Sequence, residues 1–190
     1  NADSNEIYFT SGGTEANNLA ILGSVAAKKK LGNKIITTSF EHSSVYESFK
    51  YLENKGFEVV YINPDKNGNI SREQIIEALD ENTILVSIMM VNNEVGSILP
   101  IDCLKESIKV KAKNAAFHVD AVQAFGKLKI NVRKIGVDLL SVSAHKVNGP
   151  KGCGALYKSK NTRIEPIMYG GEQQSKIRPG TECAPLIAGF

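Results

Sequence analysis

The sequence has 190 residues, of which 42% are hydrophobic and 23% are charged, and its formal net charge is +3. This composition predicts one globular domain, and the weak charge argues against a nucleic-acid or membrane partner. The three cysteines, Cys103, Cys153 and Cys183, lack the spacing of a disulfide framework or a zinc site, so we expect no metal and a reducing, cytoplasmic setting. Since the sequence starts at Asn1 rather than Met, we expect a fragment of a longer protein.

Short β-branched runs alternate with amphipathic segments along the chain. The pattern predicts strands over 6–10, 34–39, 57–62, 83–89, 115–119, 138–142 and 154–158, the last antiparallel to its predecessor. Helices are predicted over 14–31, 43–55 and 101–113, and a further helix begins at Ser71, where Gln74 completes a capping box. This alternation predicts an α/β fold with three layers, in which helices cover both faces of a mostly parallel, mixed sheet.

Ligands of such sheets bind beyond the carboxyl ends of the strands, so the residues that follow each strand are the informative ones. The first strand leads into Ser11-Gly12-Gly13-Thr14 and then a helix, whose N-terminal N–H groups suit a phosphate. The alternative is a plain tight turn in which Thr14 caps the helix. Glu15 is unfavourable beside an anion, and neither a P-loop nor a dinucleotide fingerprint is present.

Polar side chains also follow the predicted strands over 34–39 and 83–89. His42 can stack on a flat ring or move protons, although a single histidine is more often structural. Asn92 and Asn93 follow a strongly apolar strand, so one of these amides should face the ligand crevice, although adjacent amides usually belong to turns.

Asp120 and Lys146 follow two further apolar strands. A poorly solvated aspartate needs a partner, which could be a protonated pyridine nitrogen, a lysine or arginine, or the N-terminus of the next segment. Lys146 lies beside Ser143 and His145. Partial desolvation and nearby cations make a lysine amine nucleophilic towards aldehydes, although most lysines are only solvated surface residues. Together the strand ends supply an amine, an acid, a stacking ring and a phosphate site, which are the groups that pyridoxal 5′-phosphate (PLP) requires.

The sequence resembles the cysteine desulfurases of the NifS/IscS type, within the class V aminotransferase group of PLP enzymes. The resemblance rests on six segments that cover nearly the whole chain in order: IYFTSGGTEANNLAI, FEHSSV, VNNEVG, HVDAVQAFGKL, DLLSVSAHKVNGPKGCGALY and GGEQQSKIRPGTE. It implies the large domain of fold-type I PLP-dependent transferases over residues 1–190, without the N-terminal segment and the C-terminal small domain.

The resemblance also implies roles for individual residues. Lys146 matches the Schiff-base lysine, and His42 matches the histidine that stacks on the ring and moves protons. Asp120 matches the partner of the pyridine nitrogen, and Gln123 matches the group that bonds the ring hydroxyl. Asn93 matches an amide near the ring hydroxyl and the substrate carboxylate. The other implied cofactor contacts are the phosphate-binding Gly13, Thr14, Ser143 and His145, and Thr181, which reaches the phosphate of a neighbouring subunit in a homodimer.

The implied reaction removes sulfur from L-cysteine, gives L-alanine and leaves a persulfide for sulfur-acceptor proteins and iron–sulfur cluster assembly. The nucleophilic cysteine and the substrate-binding arginine of the family lie beyond this sequence, so we expect the isolated 190 residues to bind PLP at best and not to desulfurate cysteine. Two other interpretations remain open at this point: a selenocysteine lyase or other class V enzyme, and a non-catalytic scaffold fragment.

Overall fold

A computed structural model describes all residues from Asn1 to Phe190, and it contains a seven-stranded sheet between two layers of helices. The strands are β1 (Ile7–Thr10), β2 (Lys34–Thr38), β3 (Glu58–Ile62), β4 (Thr83–Met89), β5 (Ala116–Asp120), β6 (Leu139–Ser143) and β7 (Gly154–Lys158). The α-helices are α1 (Gly13–Lys28), α2 (Ser43–Asn54), α3 (Arg72–Ala78), α4 (Leu104–Lys111), α5 (Val132–Ile135) and α6 (Ala184–Ala188). Short 3₁₀ helices span Ser4–Glu6, Ala144–Val147 and Gln173–Lys176.

The strand order is β1-β7-β6-β5-β4-β2-β3, and only β7 runs against its neighbours. The carboxyl ends of the six other strands therefore meet at one edge of the sheet. This arrangement confirms the predicted three-layer α/β/α fold, including the antiparallel strand over Gly154–Lys158.

Helices on both faces explain why the central strands are apolar throughout. Every residue of β4, β5 and β6 is buried, as expected for strands with no face open to water. Two hydrophobic clusters lie on opposite faces of the sheet. One includes Leu19 of α1 and Phe49 of α2, and the other includes Ile75 of α3 and Leu104 of α4.

Local chemistry sets several helix ends. Ser71 and Gln74 form the predicted capping box at the start of α3. Helix α4 is shorter than the predicted 101–113, because Cys103 has a left-handed backbone (φ 62°) and Ala112 (φ −138°) leaves the helical conformation. Helix α1 ends at Lys28 rather than at residue 31. No helix is both long and apolar enough to cross a membrane.

Candidate active site

A cavity of about 210 Å³ opens at the edge where the carboxyl ends of the parallel strands meet. Its lining comes from the starts of α1 and α2 and from the segments that follow β4, β5 and β6. The lining residues are Gly13, Thr14, Asn17, His42, Ser44, Met89, Val91, Asn93, Asp120, Val122, Gln123, His145 and Lys146. The structure therefore brings together all of the predicted site residues except Ser143 and Thr181.

Asp120, the last residue of β5, is only 5% exposed. Its Oδ1 accepts the backbone N–H of Val122 at 2.9 Å, and its Oδ2 accepts the Asn17 side-chain amide at 2.7 Å. Burial raises the pKa of Asp120, while the Val122 N–H, the Asn17 amide and the nearby His42 act in the opposite direction. No lysine or arginine forms a salt bridge with Asp120, so that alternative from the sequence is wrong.

His42 is both a cavity residue and the N-cap of α2. Its Nδ1 accepts the backbone N–H of Ser44 at 3.1 Å and lies 2.9 Å from Ser44 Oγ. A ring nitrogen that accepts an N–H carries no hydrogen itself, so the hydrogen of the neutral ring is on Nε2. The cap fixes where the ring stands relative to the cavity.

The Gly12-Gly13-Thr14 turn forms a tight cradle at the start of the 16-residue helix α1. A Cβ atom on Gly13 would lie 2.8 Å from Val122 Cγ2 and 3.5 Å from Ser143 Cβ, so the chain accepts only glycine there without rearrangement. Gly12, rather than Thr14, is the residue at the N-cap position. Unpaired N–H groups and the helix dipole at this end favour an anion.

Glu15 does not disturb this cradle, because its carboxylate is already paired. Arg178 Nε donates to Glu15 Oε1 at 2.7 Å, and the backbone N–H of Ser11 donates to Oε2 at 2.7 Å. Burial alone would raise the pKa of Glu15, but these bonds outweigh it and lower that pKa. The unfavourable acid seen in the sequence is thus neutralised by an arginine 163 residues away.

Lys146 lies in the 3₁₀ turn Ala144–Val147 that follows β6, and its exposed side chain lines the cavity. Ser143 is buried below this turn, where its Oγ is 2.8 Å from His145 Nδ1. Ser143 therefore does not line the cavity, although it lies beside the Gly13 cradle and contacts a residue that does.

The two predicted amides differ from each other. Asn92 is buried, its amide bonds the Phe40 carbonyl and its oxygen caps the following turn, so this residue is structural. Asn93 lines the cavity, as the sequence predicted for one of the pair. Gln123 also lines the cavity, and its Oε1 accepts a hydrogen bond from Lys127 at 3.1 Å.

Thr181 and the three cysteines lie outside this cavity. Thr181 lines a separate cavity of about 130 Å³ together with Cys153 and Cys183. Cys103 is exposed before α4 on a different part of the surface. No cysteine is thus placed to attack a molecule bound beside Lys146, and no group of acidic, histidine or cysteine side chains could hold a metal ion.

Sequence reasoning missed Asn17, Ser44 and Glu41. Asn17 follows Gly13 by one helical turn, so the i, i+4 rule could have placed it on the same face of α1. Glu41 is buried, and its Oε1 accepts Thr38 Oγ1 at 2.6 Å and the Met89 N–H at 3.0 Å. Burial raises the pKa of Glu41 to about 8, and the charge of Asp120 adds to this shift.

The residues present fit PLP by their chemistry. Asp120 is a buried acid whose protein partners are two N–H groups and no cation, so it can meet a protonated ring nitrogen. The turn at Gly13 packs closely against Val122 and Ser143, and it places the N-terminus of a helix, which suits a phosphate, at the same cavity. Lys146 supplies an amine in the same cavity.

The fold and the site together define a protein of the α/β/α class with a ligand cavity at the carboxyl ends of its parallel strands. The family model for aminotransferase class-V matches residues 1–186. This chain belongs to the aminotransferase class-V family.

Relatives and solved structures agree with this assignment. A Bacillus subtilis protein named IscS 1 is 52% identical over 185 residues, which are 97% of this chain and 48% of the relative. The cysteine desulfurase IscS of Methanosarcina thermophila is 49% identical over 189 residues, which are 100% of this chain and 46% of the relative. A structure described as a NifS-like protein superimposes with a TM-score of 0.94 at 43% identity, over 98% of this chain and 51% of that chain. This chain spans about half the length of the relatives it matches.

Proposed function

We propose that this chain is the PLP-binding large domain of a cysteine desulfurase, which converts L-cysteine to L-alanine and leaves the sulfur as an enzyme persulfide. The observation that carries the proposal is the single cavity lined by Lys146, Asp120 and His42 beside the N-terminus of α1. The match to relatives named cysteine desulfurase supports the choice of reaction. A solved structure with a TM-score of 0.91, described as SspA in complex with cysteine, supports the choice of substrate.

Bound PLP would supply an aldehyde carbon for attachment to an amine and an aromatic ring that withdraws electrons from it. Lys146 would bond the aldehyde and, once a substrate amine displaces it, would move the proton at the substrate α-carbon. Asp120 would keep the ring nitrogen protonated, and His42 would cover one face of the ring. Gly13, Thr14 and His145 would hold the phosphate, with the buried Ser143 next to His145. Gln123 would bond the ring hydroxyl, and Asn93 would lie near that hydroxyl and the substrate carboxylate.

The sulfur step requires a thiolate that this cavity does not contain. That thiolate would attack the substrate sulfur, so that a sulfur–sulfur bond forms while the carbon–sulfur bond of cysteine breaks and its electron pair takes up a proton to give alanine. We infer that the thiolate and the substrate-binding arginine belong to parts of the full protein beyond these residues. Sulfur-acceptor proteins for iron–sulfur cluster assembly, a cytoplasmic location and a homodimer, in which Thr181 reaches the partner's phosphate, complete the proposal.

The test uses the purified chain and PLP. Titration should produce a visible absorbance band that is lost in Lys146→Ala but kept in Lys151→Ala, the matched change at an exposed lysine outside the cavity. Asp120→Asn should keep the lysine bond and alter the band, because the ring nitrogen loses its acidic partner. A band that survives in Lys146→Ala, or none in the folded native chain, would reject the proposed site.

A further inference from the structure

A continuous chain of hydrogen bonds runs along the cavity wall from Asp120 to His42. The Asn17 amide nitrogen lies 2.7 Å from Asp120 Oδ2 and 2.9 Å from Ser44 Oγ. Ser44 Oγ in turn lies 2.9 Å from His42 Nδ1. Asn17 and Ser44 are 1% and 8% exposed, so water does not compete strongly for these bonds.

Only one orientation of the Asn17 amide is compatible with its neighbours. Both hydrogens of its nitrogen are used, one toward Asp120 and one toward Ser44, while its oxygen is buried and has no hydrogen-bond partner. The reverse orientation would place that oxygen against the Asp120 carboxylate, where two acceptors repel each other. The Asn17 side chain thus leaves its own oxygen unpaired and donates both amide hydrogens to Asp120 and Ser44. This arrangement indicates a role beyond packing.

The direction of the remaining bonds follows from this orientation. Ser44 Oγ accepts from Asn17, so its own hydrogen points to His42 Nδ1. His42 Nδ1 then accepts from both the hydroxyl and the backbone N–H of Ser44. The hydrogen of the ring is therefore on Nε2, and two donors of Ser44 hold the ring through Nδ1.

We propose that Asn17 and Ser44 are positioning residues: Asn17 orients the Asp120 carboxylate and favours its ionised form, and Ser44 fixes the ring plane and tautomer of His42. The proposal rests on the proposed function, because these two groups are the ones that would meet the ring nitrogen and the ring face of PLP. These hydrogen bonds thereby fix the Asp120 carboxylate and the His42 ring in position before a cofactor binds.

Other ionisable groups near Asp120 must be considered in any titration. Glu41 and His42 approach from the β2–α2 connection, and His145 and Lys146 line the same cavity after β6. All four groups are retained in Asn17→Ala and Ser44→Ala, so neither variant removes an ionisable group from the surroundings of Asp120.

The experiment is NMR on the chain without PLP. The Asp120 side-chain ¹³C signal is followed against pH, and the ring ¹⁵N signals of His42 are recorded at a pH where the ring is neutral. Asn17→Ala and Ser44→Ala are compared with the adjacent changes Asn18→Ala and Ser43→Ala, which leave all three hydrogen bonds intact.

Asn17→Ala should increase the proton affinity of Asp120 about tenfold or more, because a hydrogen bond to a charged group is lost. Ser44→Ala should move the Nδ1 signal of His42, leave the Asp120 titration close to native, and be reversed by Ser44→Thr, which restores the hydroxyl. In Asn18→Ala and Ser43→Ala both signals should match the native chain.

An Asp120 titration unchanged by Asn17→Ala, or a His42 ring signal unchanged by Ser44→Ala, would overturn the proposal. If Asn17→Ala fails to fold, Asn17→Ser, which also breaks the link to Asp120, takes its place. Because no PLP is present, these results are independent of the absorbance test. If both variants show the expected NMR changes but the native chain gives no visible band with PLP, the proposed function is rejected and the roles of Asn17 and Ser44 stand.

Discussion

His118 lies fully buried in the middle of the sheet, where a charge is strongly disfavoured. Its Nδ1 is 2.8 Å from Ser87 Oγ and its Nε2 is 2.9 Å from Ser141 Oγ, so the ring joins β4, β5 and β6. Burial lowers the pKa of His118 from 6.5 to about 3. The unfolded chain therefore takes up a proton below pH 6.5 that the folded chain does not, and stability is lost as the pH falls.

The expected loss follows from the difference between the two pKa values. About pH 5 lies about 1.5 units below the ordinary pKa of 6.5. Protonation of His118 therefore stabilises the unfolded state by about 2 kcal/mol at this pH, at about 1.4 kcal/mol per unit. His118→Gln cannot take up this proton. The unfolding free energy of the native chain minus that of the variant should therefore fall by about 2 kcal/mol between about pH 7.5 and about pH 5.

Urea unfolding followed by circular dichroism measures this difference at each pH. Other titrating groups are present in both chains, so their contributions cancel when the two are subtracted. Ser87→Ala, which removes one hydrogen bond and keeps the ionisable ring, is the matched control and should retain most of the native pH dependence. A difference between the native chain and His118→Gln that stays constant with pH would refute the reasoning.

Three further predictions follow from buried contacts near the site. Burial raises the pKa of Glu41 from 4.5 to about 8, so the native chain loses stability as the pH rises from 4.5 towards 8. Glu41→Gln lacks this loss. Its free energy of unfolding in urea should therefore rise by about 3 kcal/mol relative to that of the native chain between about pH 4.5 and about pH 7. Gly13→Ala should weaken PLP binding about tenfold in absorbance titrations, and the added change Val122→Ala should restore it by removing the close methyl group. Arg178→Ala should lower the free energy of unfolding by about 1–3 kcal/mol because Glu15 loses its partner, whereas adding Glu15→Gln should recover part of that loss. Equal stabilities for the single and double variants would contradict the last prediction.

The sequence predicted the layers of the fold because hydrophobic periodicity and turn residues are local signals. The fully buried β4 lies at Thr83–Met89, the range its apolar run predicted. The predicted ends of α4 differed from the observed ends by three residues at the start and two at the finish. The left-handed backbone of Cys103, which precedes the helix, is set by the surrounding fold. Helices α5 and α6, with four and five residues, were not predicted, because they are too short for a periodic pattern.

For the site, the sequence located side chains that follow strands, because the topology of a parallel sheet brings those positions to one edge. Lys146, Asp120 and His42 line one cavity for this reason. The contacts behind them could not be predicted, since Asn17 meets Asp120 across 103 residues of chain. The role of Thr181 stays a prediction, since it concerns a neighbouring subunit.

The central claim is that Lys146 is the amine that bonds PLP in the cavity above Asp120. The most direct measurement is to incubate the chain with PLP, reduce it with borohydride so that any attached pyridoxyl group becomes permanent, and map the modified lysine by peptide mass spectrometry. We predict that the label is concentrated on Lys146 and that excess inorganic phosphate, which competes for the start of α1, reduces it. A label spread over the exposed lysines, with no preference for position 146, would contradict the account.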